Sequence, residues 1–392
     1  NAPAGSVIEF ALGAHADSSL IQFDKNSWRN PEDGSGGCKV EIFDKDGRII
    51  FTENRFAGFF NWTAEPWIFN YDHVKVSGIF KATQDGTYEF GVGMVGNFTV
   101  RIAGVEHKGF IPMHSDDLGE FILNPPFRAF PHQLKSGEDV LIEYEYPSGS
   151  LPIPVAAFYV GYREPRRIRE LELAEATSLA KTADVALVFV GTTSEIESEG
   201  HDRKNISLPE GHDDLVREVS KVAKSTIVIV NSGSPVEMPW FSEVDAVLLT
   251  WFGGQQMGNA LADVLFGKVN PSGHLTTTWS ASIKDVPVLN TTPRDGRLEY
   301  TEGRFIGYRA WRRSQRQPLL PFGHGLSYTS FETELLSADL KQATVRITNT
   351  GNRAGSEVVQ IYAQNAAAES FERRLAGFSK VNLQPKESQT VV

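Results

Sequence analysis

The stretch Asp184-Val185-Ala186-Leu187-Val188-Phe189-Val190-Gly191 decides how the middle of this chain folds. It is apolar from Val185 to Val190, and it runs into a polar loop: Thr192-Thr193-Ser194-Glu195-Ile196-Glu197-Ser198-Glu199-Gly200-His201-Asp202-Arg203. A strand without polar alternation belongs to a parallel sheet covered on both faces. Upstream, residues 166–182 set Ile168, Leu171, Leu173, Ala176, Leu179 and Ala180 roughly on one helical face. Downstream come a helix over 210–223, strands over 226–231 and 246–251, and a helix over 255–266 that Gly267 and Pro271 stop. This alternation predicts an α/β domain over 163–325 with a mostly parallel sheet.

On the N-terminal side, residues 1–162 read as all-β. Alternating runs at 38–43, 74–81, 86–92, 98–102, 140–146 and 155–162 are punctuated by Asp33-Gly34, Asp46-Gly47 and Asp85-Gly86, as hairpins demand. The aromatics Phe56, Phe59, Phe60, Trp62, Trp67 and Phe69 suit the core of a sandwich or barrel. The Pro-rich stretch 147–154 reads as a loop inside this domain. On the C-terminal side, strands over 344–348, 357–363 and 378–383 predict a small β-sandwich over 326–392. Gln389-Thr390-Val391-Val392 reads as a strand with no closing turn, and Asn1 stands where a natural start carries Met. The expectation is a processed or partial chain with a truncated last domain.

Composition narrows the partners. The 392 residues carry 49 acidic against 38 basic side chains, a net charge of −11, which argues against nucleic acid or an anionic membrane as the main partner. No run approaches the ~20 apolar residues of a membrane helix. Asn1-Ala2-Pro3-Ala4-Gly5 has neither a basic nor an apolar signal-peptide segment. Cys38 is the single cysteine and reads as a small packed side chain; alone it makes no internal disulfide. The N-x-[ST] tripeptides at Asn61, Asn97, Asn205 and Asn290 lean towards a secreted glycoprotein.

Ligands of open α/β sheets bind beyond the carboxyl ends of the strands, which puts the loop 192–203 first among candidate sites. On composition it reads as a solvated acidic loop. Chemically, one of Glu195, Glu197 and Glu199 suits a general acid, its proton retained through repulsion among neighbouring carboxylates, with Arg203 pairing with Asp202 to hold the loop. Glycoside cleavage needs two carboxyl groups flanking the scissile bond. His201 with Glu199 and Asp202 lacks metal-ligand spacing, so no metal and no cofactor are expected. Asn231-Ser232-Gly233-Ser234-Pro235 resembles a nucleophile elbow only superficially and reads as a strand-end loop.

Three longer motifs carry a resemblance. Pro321-Phe322-Gly323-His324-Gly325-Leu326-Ser327-Tyr328-Thr329, with Phe331, is similar to a hallmark of family 3 glycoside hydrolases. So are Gly258-Asn259-Ala260-Leu261-Ala262-Asp263-Val264-Leu265-Phe266-Gly267, with Asn270-Pro271-Ser272-Gly273, and Glu302-Gly303-Arg304-Phe305-Ile306-Gly307-Tyr308-Arg309. The first region resembles the PA14 module inserted in some of these enzymes, and the last their fibronectin-III-like domain. The resemblance implies the C-terminal portion of a retaining β-glucosidase that hydrolyses terminal non-reducing β-D-glucosyl residues of glucosides and oligosaccharides. Ser198-Glu199-Gly200-His201-Asp202-Arg203 matches the family's acid/base loop. That assigns the acid/base role to Glu199, with Glu197 as runner-up, and puts His201, Asp202 and Arg203 beside the substrate. Phe110, Met113 and Phe121 lie in a segment that would overhang the outer sugar subsites, although each also suits a core.

His201 replaces an aromatic residue, His274 a lysine, and Trp279-Ser280 an aromatic-Pro pair. The family takes its nucleophilic Asp, usually followed by Trp, from an N-terminal barrel. This sequence has no Asp-Trp dipeptide and no Lys-His sugar-gripping pair. The resemblance therefore implies that a barrel domain is the partner, and that this chain alone is inactive. The competing readings are a carbohydrate-binding PA14 protein that holds calcium at Asp116-Asp117 and a degenerate remnant kept for folding or assembly. A homo-oligomer is compatible with all three.

Overall fold

The computed structural model describes residues 2–16, 19–114, 118–123, 125–165, 168–199, 202–203, 205–364 and 372–392, the side chain of Glu120 apart. Contacts divide the chain into two units. One comprises His15–Ala174 and Thr193–Arg203; the other comprises Asn1–Ala14, Glu175–Thr192 and Lys204–Val392.

The first unit is β-rich. Its strands are β1 (Ile21–Gln22), β2 (Trp28–Arg29), β3 (Cys38–Asp44), β4 (Ile49–Arg55), β5 (Phe59–Trp62), β6 (Tyr71–Lys81), β7 (Gly86–Gly93), β8 (Gly96–Ile102), β9 (Val105–Ile111), β10 (Phe127–Leu134), β11 (Asp139–Pro147) and β12 (Ala156–Arg163), with one short helix, α1 (Leu118–Leu123). They form a seven-stranded sheet, β4-β3-β6-β11-β8-β9 with β2 on β6, and a five-stranded sheet, β1-β12-β7-β10 with β5 on β12. Every pairing is antiparallel.

Alternation drives the assembly. In β3, Cys38, Val40 and Ile42 are buried while Lys39 and Glu41 are partly wet. Both sheets contribute to one aromatic core, in which Phe23 stacks on Trp28 at 4.3 Å and Phe60 on Phe158 at 4.7 Å. Asp46-Gly47 turns the β3–β4 hairpin, and Gly47 takes a φ of 77° that only glycine adopts without strain. Cys38 is fully buried, and burial raises its thiol pKa far above the usual range. Phe60 and Trp62 are core residues as expected, whereas Phe56 and Phe69 are exposed.

The second unit holds the parallel sheet β13 (Ala186–Gly191), β14 (Thr226–Asn231) and β15 (Ala246–Leu249), in that spatial order. Helices α3 (His212–Ser220), α4 (Met257–Leu265) and α5 (Tyr308–Ser314) belong to it, and α2 (Arg169–Thr182) enters it from the β-rich unit. One expectation fails here and another holds only in part. Strand β13 is covered on one face only: Val188 and Val190 are buried, but Leu187 and Phe189 are 41% and 55% exposed. The predicted apolar face of α2 is buried in part: Ala180 is buried and Leu173, Ala176 and Leu179 are half-buried, whereas Ile168 and Leu171 are exposed and Glu172 is buried against His15 at 3.0 Å.

The C-terminal strands β16 (Phe331–Ala338), β17 (Ala343–Asn349) and β20 (Ser388–Val391) form one small sheet; β18 (Gly355–Ala363) and β19 (Arg374–Leu383) form another. They share a core of Val345, Ile347, Val359, Val381 and Leu383. The long motifs quoted above act here as structural staples. Asn270 Oδ1 accepts from Ser327 Oγ (3.0 Å) and Tyr328 N (2.8 Å), and its amide donates to Ala354 O (3.0 Å). Tyr308 Oη accepts from Leu375 N at 2.7 Å. His274 pairs with Glu357 at 2.8 Å, and Trp279 is fully buried and backbone-bonded to Leu320. Among the described residues no helix is long and apolar enough to cross a membrane.

Candidate active site

The loop 193–203 starts from the carboxyl end of β13. Gly191 is required there: a Cβ would sit 2.2 Å from Asn231 O on the neighbouring strand. Its amide donates to Nδ1 of the buried His212 at 3.5 Å, and Thr192 N donates to Asn231 O at 3.0 Å. Burial holds the His212 pKa below its ordinary 6.5, which favours the neutral ring that can accept this bond.

Thr193 then organises one turn. Its carbonyl accepts from Ile196 N (3.0 Å) and Glu197 N (2.9 Å), and its hydroxyl from Glu195 N (3.3 Å). The three glutamates diverge. Glu195 accepts from the backbone amide of Ser19 in the β-rich unit. Glu197 Oε1 accepts from Arg203 Nη1 at 2.7 Å, with both side chains largely buried. Glu199 is exposed and makes no side-chain hydrogen bond or ion pair among the described residues.

This corrects the expected Asp202–Arg203 pair. Arg203 folds back across the loop to Glu197, and Asp202 is exposed. Two of the three carboxylates are thus engaged by donors of their own, so the geometry does not support the expected mutual repulsion as the feature that keeps one of them protonated. An ion-paired carboxylate is an acceptor, and of the three glutamates Glu199 is the one with no side-chain partner among the described residues.

His201, Asp116 and Asp117 lie outside the described residues. Of the overhang candidates, Phe121 is core at 1% exposure, whereas Phe110 on β9 and Met113 are exposed. Ser232 is buried and its hydroxyl donates to Ser234 O at 2.9 Å, which suits a strand-end turn and not an exposed nucleophile. No group of three metal-ligating side chains occurs among the described residues. Sequence reasoning missed the Ser19 anchor, the His212 contact and Trp251, which holds a left-handed φ of 52° just past β15. None has a local sequence signal, because each depends on contacts distant along the chain.

The fold defines a β-rich multidomain chain whose strand-end loop presents carboxylates. Residues 51–328 match the model for the glycosyl hydrolase family 3 C-terminal domain, and residues 357–392 match that for a fibronectin type III-like domain. The chain therefore belongs to glycosyl hydrolase family 3. It is 36% identical to a probable beta-glucosidase I of Aspergillus flavus over 81% of this chain and 41% of that protein. It is 35% identical to a beta-glucosidase of Kluyveromyces marxianus over 82% of this chain and 39% of that protein. A crystal structure of beta-glucosidase from Kluyveromyces marxianus in complex with glucose is similar at a TM-score of 0.85 and 30% identity, over 99% of this chain and 48% of that one. The chain spans less than half the length of these relatives.

Proposed function

We propose that the chain is the C-terminal portion of a retaining β-glucosidase acting on terminal non-reducing β-D-glucosyl residues, with Glu199 as general acid and base. In such a reaction Glu199 protonates the glycosidic oxygen as a nucleophilic carboxylate from the other half of the enzyme attacks the anomeric carbon. It then takes a proton from the water that releases glucose. The observation that carries the reading is the contrast within one loop: Glu195 and Glu197 are tied to Ser19 and Arg203, and Glu199 stands exposed past a parallel strand. Asp202, Arg203, His201 and Phe110 are the proposed substrate-side neighbours.

The β-rich unit serves in this reading as a PA14-type module that shapes the outer subsites; support comes from the grouping of Thr193–Arg203 with it. The proposed partner is an N-terminal barrel domain, supported by the relatives' greater length and by the uncovered Leu187 and Phe189. The four sequon asparagines are all exposed, which supports a secreted glycoprotein.

The test supplies the N-terminal half of a matching relative and assays an aryl β-glucoside. The chain alone should give no turnover. The pair should hydrolyse the substrate, and Glu199→Gln should slow it by about two to four orders of magnitude. Turnover by the chain alone, or a Glu199→Gln pair as active as the parent, overturns the proposal.

A further inference from the structure

The sequence holds four Asp-Gly dipeptides, starting at Asp33, Asp46, Asp85 and Asp295. Such a pair can react with itself: the glycine amide nitrogen attacks the aspartyl side-chain carboxyl, and glycine carries no Cβ to obstruct the approach. The reaction needs both groups free. Folding withholds them at three of the four sites.

Asp33 Oδ1 accepts from Ser35 Oγ at 2.7 Å and Ser35 N at 2.9 Å, which holds its carboxyl below the usual range, and Gly34 N is committed to Asn30 O at 2.9 Å. Asp46 Oδ2 accepts from Arg48 Nη1 at 3.0 Å, and Gly47 N donates to Asp44 O at 3.0 Å. Asp85 Oδ1 accepts from Ser136 N at 2.7 Å, and Gly86 opens β7 opposite Leu134 of β10.

Asp295-Gly296 differs on every count. It forms the tip of a two-residue turn closed by Arg294 N to Arg297 O at 2.8 Å and Arg297 N to Arg294 O at 2.9 Å, an isolated bridge outside any strand. Its φ values of 49° and 73° are the positive pair of a type I′ turn. Asp295 carries a side chain in the left-handed region, which costs energy and leaves this short turn easier to open. Among the described residues the Asp295 carboxylate makes no hydrogen bond or ion pair, not even with the flanking Arg294 and Arg297, and Gly296 N has no acceptor. Residues 291–297 are all exposed.

We propose that Asp295 is a site of spontaneous covalent modification in the folded chain, where it converts to isoaspartate. Gly296 N forms a bond to Asp295 Cγ; the amide proton and the carboxyl hydroxyl leave as water, giving a five-membered cyclic imide. Water then adds to the ring. Opening at Cγ restores aspartate. Opening at the α-carbonyl breaks its bond to Gly296 N, leaves the main chain running through Cγ and frees an α-carboxylate. Mass and redox state are unchanged, but the backbone gains a methylene at the tip of the turn. This inference stands apart from the hydrolytic reading of the loop carrying Glu199.

Ageing the full chain at physiological temperature in mildly acidic buffer tests it. Isoaspartate is read by methyl incorporation with an isoaspartyl carboxyl methyltransferase and placed by peptide mapping with electron-transfer fragmentation. It should accumulate at 295 at least about fivefold faster than at 33, 46 or 85, the factor that one net hydrogen bond represents. In denaturant that preference should collapse, because all four sites then share the same local chemistry. Asp295→Glu, whose ring closure would need a larger imide, should abolish the signal at 295 and leave the circular dichroism spectrum unchanged. Accumulation at 295 no faster than at the other three sites in the folded chain, or an equal preference for 295 in denaturant, overturns the proposal.

Discussion

The Glu197–Arg203 pair offers the sharpest test of how the candidate loop is held. Its side chains are only 12% and 14% exposed, and the contact is a 2.7 Å charge-assisted bond. Arg203→Met leaves a carboxylate largely shielded from water and without its guanidinium. Breaking a buried pair costs about 3 kcal/mol at the lower end of the known range, which applies because some of each side chain stays wet. If opening of the loop exposes the pair, that energy is roughly a hundredfold in the opening equilibrium, read directly as faster amide exchange. The reporters are the amides of Ile196 and Glu197, which bond to Thr193 O within the same turn. Native-state hydrogen exchange of Arg203→Met, Glu197→Gln and the double variant gives the cycle. Each single variant should exchange about a hundredfold faster, and the double variant should be slower than the two effects combined by at least about 1 kcal/mol of coupling. Purely additive effects, or single variants within twofold of the parent, would mean that the pair does not hold the loop.

Two further outcomes follow from burial. The unfolded chain takes up the His212 proton at the ordinary 6.5, and the folded chain only at lower pH. The stability this residue confers is therefore complete above that value and is lost as pH falls from it towards the folded pKa. Thermal melts between neutral and mildly acidic pH should lose that slope in His212→Gln; an unchanged slope refutes the assignment. Phe189→Thr, on the open face of β13, should shift stability of this chain by less than about 0.5 kcal/mol while reducing binding of an apolar dye, and a loss of ~2 kcal/mol or more would place Phe189 in a core.

The sequence was most legible where one physical cause dominates. Strand β14 was predicted at its observed bounds because an unbroken Thr226–Asn231 run has no competing pattern. Strand β10 was missed because Pro131 argues against a central strand; it lies at the edge of the five-stranded sheet, where proline is tolerated. Strand β4 was missed because Ile49, Ile50 and Phe51 do not alternate, and all three are exposed on another edge strand. Helix α5 is short and framed by Gly307, below what periodicity detects. At the site, the loop and its candidate acid were legible in composition and motif. Its internal pairing was not, because sequence proximity suggested Asp202 for Arg203 whereas loop closure selects Glu197.

The Ser19–Glu195 bond has a consequence for anyone recombining these proteins. The geometry of the loop is set partly by a backbone amide encoded 176 positions upstream. A chimera that imports the loop from a relative, but keeps a foreign segment that places its backbone differently where Ser19 stands, would move this amide away from the Glu195 carboxylate and shift the turn. Grafts should therefore move the two stretches together, and libraries aimed at altered substrate range gain by randomising residues around Ser19 as well as those next to Glu199.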